Sequence, residues 1–463
     1  MKRTLLALAA ALTLAAVAGA PAQAATHTTT IDRPVNLDPY EVRQAFNIVP
    51  SPHVNGFVTS MKVDVVDPDG TQVPIRRLML HHIVFSTIGR PSPTCGSTFT
   101  SFDSKSQVPN LGEEWFAEGE EHNQLVLPPG YGYRIAKNDS WSMVYMLMNH
   151  RGVPDHALIR YTVTWDDSPD LTPVHPYWLD VRNCRADPVF DVPGGGKHGS
   201  NYSQDFTYTM PVSGRIVAGG AHVHGGAHDL TVSEPDCANR TVFKSKPAWG
   251  TADHPFYHVR PILHEPGPIS MSGFLSQQGY PIARGQRIRL TANYDNQRPH
   301  TRVMGIAVVF VAPQDVPAGC APPPTDAVNL QPAQVAGIPY RTETPPFKVP
   351  LTGLDASGQA HTIKRPPGKT VRVPAGGSVD VRDFAFGTPN VSIAKGARLK
   401  WRFRPRTLHN VTLANGPRGF SSVNLSSGRR FSYRFSKAGT YRIFCGLHPV
   451  QMTQTVKVRR HRH

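Results

Sequence analysis

Short segments in which apolar and polar residues alternate recur along the chain, and helical periodicity is nearly absent. Residues 56–66, 160–165, 287–294 and 303–311 are β-branched or alternating, and glycine and proline separate such segments. A period of two places successive side chains on opposite faces of a strand, so these segments predict strands. With 39 glycines and 44 prolines among 463 residues, the pattern predicts an all-β fold built from sandwiches.

Proline- and glycine-rich stretches divide the chain into regions. One such stretch around residues 186–203 suggests a first boundary, and a longer one from Ala312 to about Pro367 predicts an extended, semi-rigid linker. The predicted regions are a signal peptide at 1–24, tandem β-sandwiches at 25–186 and 187–312, a Pro-rich linker at 313–367, and a last β-sandwich at 368–463.

The first 24 residues have the features of a cleavable secretory signal. A basic start precedes an apolar run over residues 5–17, and a small-residue exit ends at Ala24. The run is shorter than the about 20 apolar residues that a bilayer span needs. We therefore expect a secreted, extracytoplasmic protein that begins near Ala25 and has no membrane span after removal of the signal.

Basic charge is concentrated in the last region. The chain has 49 Lys and Arg against 33 Asp and Glu, a formal net charge of +16, and the residues after Asp383 include 16 basic and no acidic ones. For an exported protein we expect no nucleic-acid partner. The basic surface indicates docking on an acidic redox partner, an anionic cell envelope or this chain's own acids, or else only aids solubility. The acids considered are Glu113, Glu114, Glu118, Glu120 and Glu121.

Five cysteines in an oxidising compartment leave one thiol for a purpose other than a disulfide bond. We expect Cys445 to be a metal thiolate and the other four cysteines to be structural. Pairing Cys95 with Cys184, and Cys237 with Cys320, keeps each bond inside one predicted domain. The sequence alone leaves this connectivity open.

Four residues near the C-terminus form a ligand set typical of type 1 copper. Cys445, His448 and Met452 follow one predicted strand on a single loop, and His409 arrives from a distant strand. A soft thiolate, two imidazoles and a weak axial thioether suit blue copper. Three ligands on one short loop make such a site rigid, which limits reorganisation when copper changes its oxidation state.

This segment resembles the plastocyanin and azurin family of cupredoxins from about Thr370 to Val458, through the phrases DFAFGTPNVSIAKG and FSKAGTYRIFC. The resemblance implies a Greek-key β-sandwich at 368–463 that holds one type 1 copper and transfers electrons. A multicopper oxidase would flank the cysteine with histidines, where this chain has Phe444 and Gly446. A histidine-brace monooxygenase would need a histidine at its mature N-terminus, which the predicted cleavage does not produce.

Histidines and a methionine also recur upstream of the linker. His222 and His224 stand two residues apart, so they share one strand face and can clamp one metal ion. His81 and His82 are adjacent, so their strand must end or bulge for both to reach one ion. Taken singly, such residues in a β-sandwich are usually packing residues. The full upstream group is His81, His82, His150, His222, His224 and Met304.

Taken in order, these clusters resemble the copper type II, ascorbate-dependent monooxygenases, namely the peptidylglycine alpha-hydroxylating and dopamine beta-monooxygenases. The phrases HHIVFST, LPPGYGYRIAKND and AGGAHVHGG carry the resemblance over residues 36–312. It implies two sandwich domains with one copper ion each. The implied electron-storing site, here named the storage set, is His81, His82 and His150. The implied oxygen-activating and catalytic site, here named the oxygen set, is His222, His224 and Met304.

The substrate anchors of that family are missing from this chain. Peptide-hydroxylating members carry an arginine two residues before the H-x-H pair, and an asparagine and a tyrosine two and four residues after the methionine. This chain has Gly220, Ile306 and Val308 at those positions. We therefore expect no peptidylglycine activity and a more apolar or differently anchored substrate.

Together these patterns predict a secreted copper-dependent oxidoreductase with one type 1 copper and two further copper ions. A two-copper monooxygenase would use dioxygen to hydroxylate an unknown small molecule, and the tethered cupredoxin would supply electrons at high effective concentration. The alternative is a non-catalytic copper-binding electron-transfer protein whose upstream histidines keep their metal without a productive pocket. A third possibility is a purely structural β-protein upstream of a working cupredoxin.

Overall fold

The structure is a computed structural model. It describes residues 25–101, 107–330 and 339–460. The predicted signal peptide at 1–24 lies outside the described residues. Within them the chain is almost entirely β, with two short 3-10 turns at Pro235–Cys237 and Pro255–His258 and no α-helix. In the part of the chain that is described, no helix is long and apolar enough to cross a membrane.

The described residues form strands in three successive regions. The first region has β1 (Thr26–Leu37), β2 (Val42–Val49), β3 (Gly56–Val66), β4 (Leu78–Ile88), β5 (Thr98–Thr100), β6 (Gln107–Pro109), β7 (Gly112–Gly119), β8 (Leu125–Val126), β9 (Tyr131–Ile135), β10 (Trp141–Asn149), β11 (Asp155–Asp166) and β12 (Thr172–Asp180). The second has β13 (Phe190–Val192), β14 (Asn201–Thr209), β15 (Gly214–Val223), β16 (Ala227–Glu234), β17 (Arg240–Ser245), β18 (Pro247–Gly250), β19 (Ser270–Met271), β20 (Gly273–Ile282), β21 (Arg287–Asp295), β22 (His300–Val303), β23 (Gly305–Pro313), β24 (Val328–Leu330) and β25 (Tyr340–Arg341). The third has β26 (Leu351–Leu354), β27 (Ala360–Ile363), β28 (Thr370–Arg372), β29 (Ser378–Arg382), β30 (Ala385–Phe386), β31 (Asn390–Ala394), β32 (Arg398–Phe403), β33 (Thr412–Asn415), β34 (Arg430–Arg434), β35 (Gly439–Phe444) and β36 (Thr453–Arg459).

One long sheet runs through both upstream sandwiches, in the order β1-β11-β3-β9-β12-β23-β15-β20-β24, with β8 paired to β3. β12 is the junction, because it runs parallel to β9 and antiparallel to β23. A four-stranded sheet, β2-β10-β4-β7, packs on the first half, and a second one, β14-β21-β16-β17, packs on the other half. The all-β prediction is confirmed. The predicted boundary near residue 186 follows the junction strand and stays a prediction.

β23 contributes side chains to the cores of both upstream sandwiches. Its alternate residues enter the first core through Ile306, Val308 and Phe310, and the second core through Ala307, Val309 and Val311. Burial on both faces explains why this strand reads as a continuous apolar run instead of alternating with polar residues. The strand therefore holds Met304, which immediately precedes it, in a rigid position between the two cores.

The last region is a sandwich of a five-stranded sheet, β28-β31-β36-β35-β33, and a four-stranded sheet, β30-β29-β32-β34. Its core surrounds the fully buried Trp401, whose indole N–H donates to the buried Gln454 Oε1 at 2.8 Å. This bond satisfies two polar groups that would otherwise be costly to bury. β36 lies parallel to β31 and antiparallel to β35, which is the mixed pairing of a Greek-key cupredoxin.

The proline-rich segment lies against the upstream sandwiches. β24 pairs with β20, and β25 pairs with β18. Farther on, β26 and β27 form a hairpin beside β2, where the Tyr40 hydroxyl accepts a hydrogen bond from the Ala360 N–H at 2.9 Å. These contacts hold the described parts of this segment, residues 313–330 and 339–367, against the upstream sandwiches.

Both predicted disulfide pairs are confirmed. Cys95 is bonded to Cys184 and Cys237 to Cys320, whereas Cys445 is a buried free cysteine. The first bond ties the loop after β4 to the segment that leaves β12. Two disulfides fit an extracellular protein.

Candidate metal centres

The thiol and both imidazoles of the predicted type 1 site converge in the last sandwich. Cys445 Sγ lies 3.7 Å from His409 Nδ1 and 3.7 Å from His448 Nδ1, and the two nitrogens are 3.0 Å apart. Bonds of about 2.0 Å to nitrogen and about 2.3 Å to sulfur, spread by about 120°, separate nitrogen from sulfur by about 3.7 Å. The three donors therefore fit a trigonal copper ion.

The ligand loop after β35 is closed by its own backbone. The N–H of His448 donates to Cys445 O, that of Met452 donates to His448 O, and that of Cys445 donates to Met452 O, each at 3.0 Å. These bonds force the chain to double back and bring Met452 into the core beside Cys445, where both are fully buried. Met452 is thus buried in the same core as Cys445, where it would serve as the predicted fourth ligand.

Asn410 connects this loop to the strand that carries His409. Its backbone N–H points at Cys445 Sγ at 3.4 Å, and its side-chain oxygen accepts hydrogen bonds from Gly446 N at 2.7 Å and from Thr412 Oγ1 at 2.9 Å. An N–H that donates to sulfur stabilises a thiolate. Sequence reasoning missed the role of Asn410. Its only distinguishing feature in the sequence is that it follows His409, and this does not indicate that it bonds the ligand loop.

Burial dominates the electrostatics of the three donors. It lowers the pKa of His409, and it lowers the pKa of His448 to about 4 together with the neighbouring His409. Burial also raises the pKa of the Cys445 thiol. Both imidazoles are therefore neutral near pH 7, and binding a metal ion must displace the thiol proton. Thr407 Oγ1 lies 3.1 Å from His409 Nε2, which leaves Nδ1 directed at the metal position.

A β-bulge brings the adjacent histidines of the storage set to the same side of β4. His82 pairs with Met146 of β10, Leu80 pairs with Leu147, and His81 has no partner between them. Because the bulge interrupts the alternation of the strand, the rings of His81 and His82 lie 5.2 Å apart. The structure therefore has the irregularity that two adjacent ligands require.

His150, the third member of the storage set, follows β10 and is buried. Its Nδ1 donates to Ile75 O at 3.2 Å, and its buried Nε2 has no hydrogen-bond partner among the described residues. A carbonyl that fixes one ring nitrogen and leaves the other free is the arrangement found at metal-binding histidines.

The oxygen set shows the same arrangement at closer range. His222 Nδ1 donates to Glu121 Oε1 at 2.8 Å, and His224 Nδ1 donates to Arg302 O at 3.0 Å. The two Nε2 atoms then face each other at 3.0 Å, buried. Two imidazoles oriented by outside acceptors toward a common point fit a shared metal ion. Met304 follows β22, two residues after Arg302, and lines the same region as His224.

The approach of His222 to β7 depends on a glycine. A Cβ built on Gly119 would lie 2.7 Å from His222 Cε1, closer than real contacts allow. Any other residue at position 119 would push the His222 ring away from the Nε2 of His224. The oxygen set thus depends on a backbone approach that only glycine permits.

The two sets lie next to each other. The ring centroids of His81 and His224 are 4.8 Å apart, so a member of one set contacts a member of the other. The division into an electron-storing and an oxygen-activating site stays a prediction, since the geometry alone assigns no role to either set.

Glu120 and His264 join this cluster and were missed by sequence reasoning. Glu120 Oε1 lies 2.5 Å from His81 Nδ1 and also contacts His264 Nε2, which is 3.0 Å from His81 Nδ1. Gly267 N donates to Glu120 Oε2 at 2.7 Å and fixes the carboxylate. Burial opposes ionisation of Glu120, yet the neighbouring His264 and His81 hold the pKa of its carboxyl well below the usual value.

The expectation that the glutamates around β7 offer an acidic docking surface is wrong. All of them are buried, with 5% or less of their surface exposed: Glu113, Glu114, Glu118, Glu120 and Glu121. Trp115 and Phe116 of β7 are apolar, but three of the eight residues of this strand are glutamates, so the local sequence did not mark the carboxylates as buried. Glu120 and Glu121 contact histidines, Glu114 and Glu118 line a cavity, and Glu113 accepts a hydrogen bond from the Tyr133 hydroxyl.

Two cavities meet the oxygen set. One, of about 280 Å³, is lined by His222 and by all three positions where the monooxygenase anchors are missing, namely Gly220, Ile306 and Val308. The other, of about 440 Å³, is mostly apolar and is lined by His82, His222 and Met304. The structure thus brings the three substituted positions together around one apolar space beside a predicted metal ligand.

Comparison with known families gives two matches. Residues 148–314 match the family described as Stress up-regulated Nod 19, and residues 375–459 match the family described as copper binding proteins, plastocyanin/azurin family. No curated protein matches the chain significantly.

Among solved structures, variants of amicyanin are similar to part of the chain. An oxidised methionine-to-leucine variant and a reduced tryptophan-to-tyrosine variant share 26% identity with it, and the Cu(I) form of a methionine-to-alanine variant shares 27%. Each match covers 18% of this chain and 80% of amicyanin, with a TM-score of 0.17. With the family match and the converged donors, residues 375–459 are a cupredoxin of the plastocyanin/azurin family, a copper-binding domain suited to electron transfer.

Proposed function

We propose that the chain is a copper-dependent monooxygenase in which the cupredoxin supplies electrons to the upstream histidine cluster. The observation that carries this proposal is the pair of His222 and His224, whose Nε2 atoms face each other at 3.0 Å beside an apolar cavity. Copper bound there would supply one-electron redox chemistry and a site for dioxygen. Hydroxylation needs two electrons per oxygen molecule, so a donor within the same chain suits the reaction.

The chain's own residues would prepare the site in three ways. Glu121 and the carbonyl of Arg302 fix the tautomers of the two histidines, so that both present Nε2. Met304 offers a soft thioether, which favours reduced copper. The surrounding cores exclude water, which protects a reactive oxygen species from loss to solvent.

The cavity of about 280 Å³ supports a small apolar substrate. Its lining combines Gly220, Ile306 and Val308 with aromatic and aliphatic residues, and a cavity of this size holds a ligand at the small end of the usual range. No lysine or arginine lines it among the described residues, so a substrate carboxylate would have no oppositely charged partner of that kind. This supports an uncharged substrate and counts against a peptide terminus.

The test is anaerobic reduction of the copper-loaded chain followed by exposure to oxygen, with small apolar compounds present or absent. We expect oxygen uptake coupled to hydroxylated product. Met304→Ala should abolish this turnover and leave the blue absorbance intact. Met210→Ala, which removes a buried methionine of the second core, is the matched control and should retain turnover. Equal turnover in the two variants would contradict the assignment of Met304.

The cavity can be tested separately. Nothing lies within 4 Å of a Cβ built on Gly220, so Gly220→Leu should fold normally and fill the space. We expect it to block product formation while oxygen consumption without substrate persists. Unchanged product formation would move the substrate to another site.

A second candidate function is non-catalytic copper binding and electron transfer. The contact between His81 and His224 favours it, because histidines of the two sets that touch are placed to exchange electrons directly. Under this proposal the chain would bind copper at all its sites and exchange electrons, yet no compound would stimulate oxygen uptake.

A further inference from the structure

The cupredoxin is docked on the strand that precedes Met304. Thr301 Oγ1 of β22 donates to Leu413 O of β33 at 2.8 Å. Asp191 Oδ2 accepts a hydrogen bond from Ser421 N at 2.6 Å, and Gly419 N donates to Pro193 O at 2.9 Å. The domain that carries the type 1 site is therefore held against the segment that ends at the oxygen set.

Arg302 stands at the centre of this contact. Its Nη1 donates to Ser422 O of the cupredoxin at 3.1 Å, and its Nη2 donates to the buried Asp187 at 2.5 Å. Its own carbonyl accepts the hydrogen bond from His224 Nδ1. One residue is thus bonded to a predicted copper ligand through its backbone and to the cupredoxin through its side chain.

The same side chain reaches the residue next to the cupredoxin thiol. A Cβ built on Gly446, which follows Cys445, would lie 3.8 Å from Arg302 Cδ. A cavity of about 80 Å³ lies between the two sites, lined by Phe444 and Gly446 on one side and by His224 on the other. A larger cavity of about 530 Å³ lies elsewhere in the interface, beside Ser421 and Ser422. Arg302 is one of the residues that line this smaller cavity, so its side chain lies between the two sites.

Arg302 also adopts a backbone conformation that is uncommon for its residue type. Its φ of 54° lies in the left-handed region that favours glycine and asparagine. Its N–H is held by Asp191 Oδ1 at 3.0 Å, so the surrounding contacts impose this conformation. The strain is consistent with a position fixed by the docking of the two domains.

We propose that Arg302 is the positioning residue for electron transfer between the type 1 site and the oxygen set, along a route from Cys445 through Gly446 and Arg302 to His224. The inference rests on the proposed function, because it needs copper at both ends. One electron leaves the cupredoxin site, which goes from Cu(I) to Cu(II), and arrives at the upstream site, which goes from Cu(II) to Cu(I). An external one-electron reductant recharges the cupredoxin, and no proton is transferred.

The physical basis is that electron tunnelling falls off steeply across empty space and less steeply through bonded atoms. The aliphatic stem of Arg302 fills the gap beside Gly446, and its backbone continues to His224 through a single hydrogen bond. Removing the stem lengthens the through-space step between Gly446 and Arg302, which is the only step of this route without a covalent or hydrogen bond.

The test is pulsed photochemical reduction of the full, copper-loaded chain, followed by recovery of the blue absorbance under argon. Arg302→Gly suits the left-handed backbone and removes the stem, and we expect it to slow the recovery severalfold. Arg302→Lys keeps the stem and should stay near the native rate. Arg418→Ala is the matched control, since Arg418 also bonds across the interface, to Gly194 O, but lies off the route, and it should leave the rate unchanged.

Small-angle scattering of the metal-free variants, together with copper analysis, separates the outcomes. Slow recovery in Arg302→Gly, with docked domains and three coppers, supports the route. Equal rates in all four proteins, or equal slowing in Arg302→Gly and Arg418→Ala, would overturn it. A chain that binds copper only at the cupredoxin would show no recovery in any variant, and the copper count would trace that failure to the proposed function.

Discussion

Replacing Asn410 with alanine should destabilise the cupredoxin more than any single surface change. Asn410 is fully buried and makes three side-chain hydrogen bonds, accepting from Gly446 N and Thr412 Oγ1 and donating to Asn424 Oδ1 at 2.9 Å. The variant leaves the Gly446 N–H and the Asn424 oxygen buried without these partners. At about 1 kcal/mol for each lost bond, the free energy of unfolding falls by about 3 kcal/mol.

The measurement is loss of the blue absorbance on heating the copper-loaded chain, because that colour reports on the cupredoxin alone. For a domain of this size, about 3 kcal/mol lowers the midpoint by on the order of 15 °C. The matched control is Ser432→Ala, which removes one exposed hydrogen bond to Arg398 and should change the stability by less than about 0.5 kcal/mol. A midpoint for Asn410→Ala as high as that of the control would refute the idea that Asn410 holds the ligand loop.

Three other perturbations test separate parts of the structure. Cys445→Ser should remove the blue absorbance and lower the copper content by one ion, because the thiolate is the donor that makes the site strongly coloured. Elemental analysis and absorbance spectroscopy measure these two changes. Full blue colour in the variant would show that the thiol is not a ligand. Burial raises the pKa of Glu114 to about 7 from an ordinary 4.5, so the folded state resists ionisation of this carboxyl, and its stability falls as the pH rises from 4.5 to 7. Glu114→Gln should therefore match the native chain at pH 4.5 and exceed it by on the order of 3 kcal/mol at pH 8 in urea unfolding, and a pH-independent difference would contradict this. Replacing both Cys95 and Cys184 with serine removes a disulfide bond between residues 89 positions apart and should lower the free energy of unfolding by about 4 kcal/mol. A smaller effect than that of a surface substitution would mean that the bond does not form in solution.

Local sequence patterns predicted the ligand loop because its donors are close in the chain. Cys445, His448 and Met452 lie within eight residues, so a tight loop after the strand necessarily places them near one another. The sequence also predicted that His81 and His82 require an irregular strand, since adjacent residues on a regular strand point apart. The bulge opposite Met146 and Leu147 meets that requirement.

Residues that act through long-range contacts were missed. His264 stands alone in the sequence and reaches His81 only because the chain after β18 crosses to the first sandwich. Glu120 and Glu121 appeared to be surface charges because a charged residue carries no mark of its burial; only the packing of β7 against β4 and β15 encloses them. Arg302 had no motif of its own, and its role follows from the docking of another domain.

The sequence by itself determined the all-β class and the donors of the type 1 site, because strand periodicity and ligand spacing are local properties, whereas the disulfide connectivity was left open until the structure decided it. Only the tertiary structure decided that the two upstream histidine sets touch, that buried glutamates orient them, and that the cupredoxin rests on the strand leading to Met304. Those relations depend on which surfaces pack together after folding, and contacts between residues hundreds of positions apart leave no periodic signal in the chain.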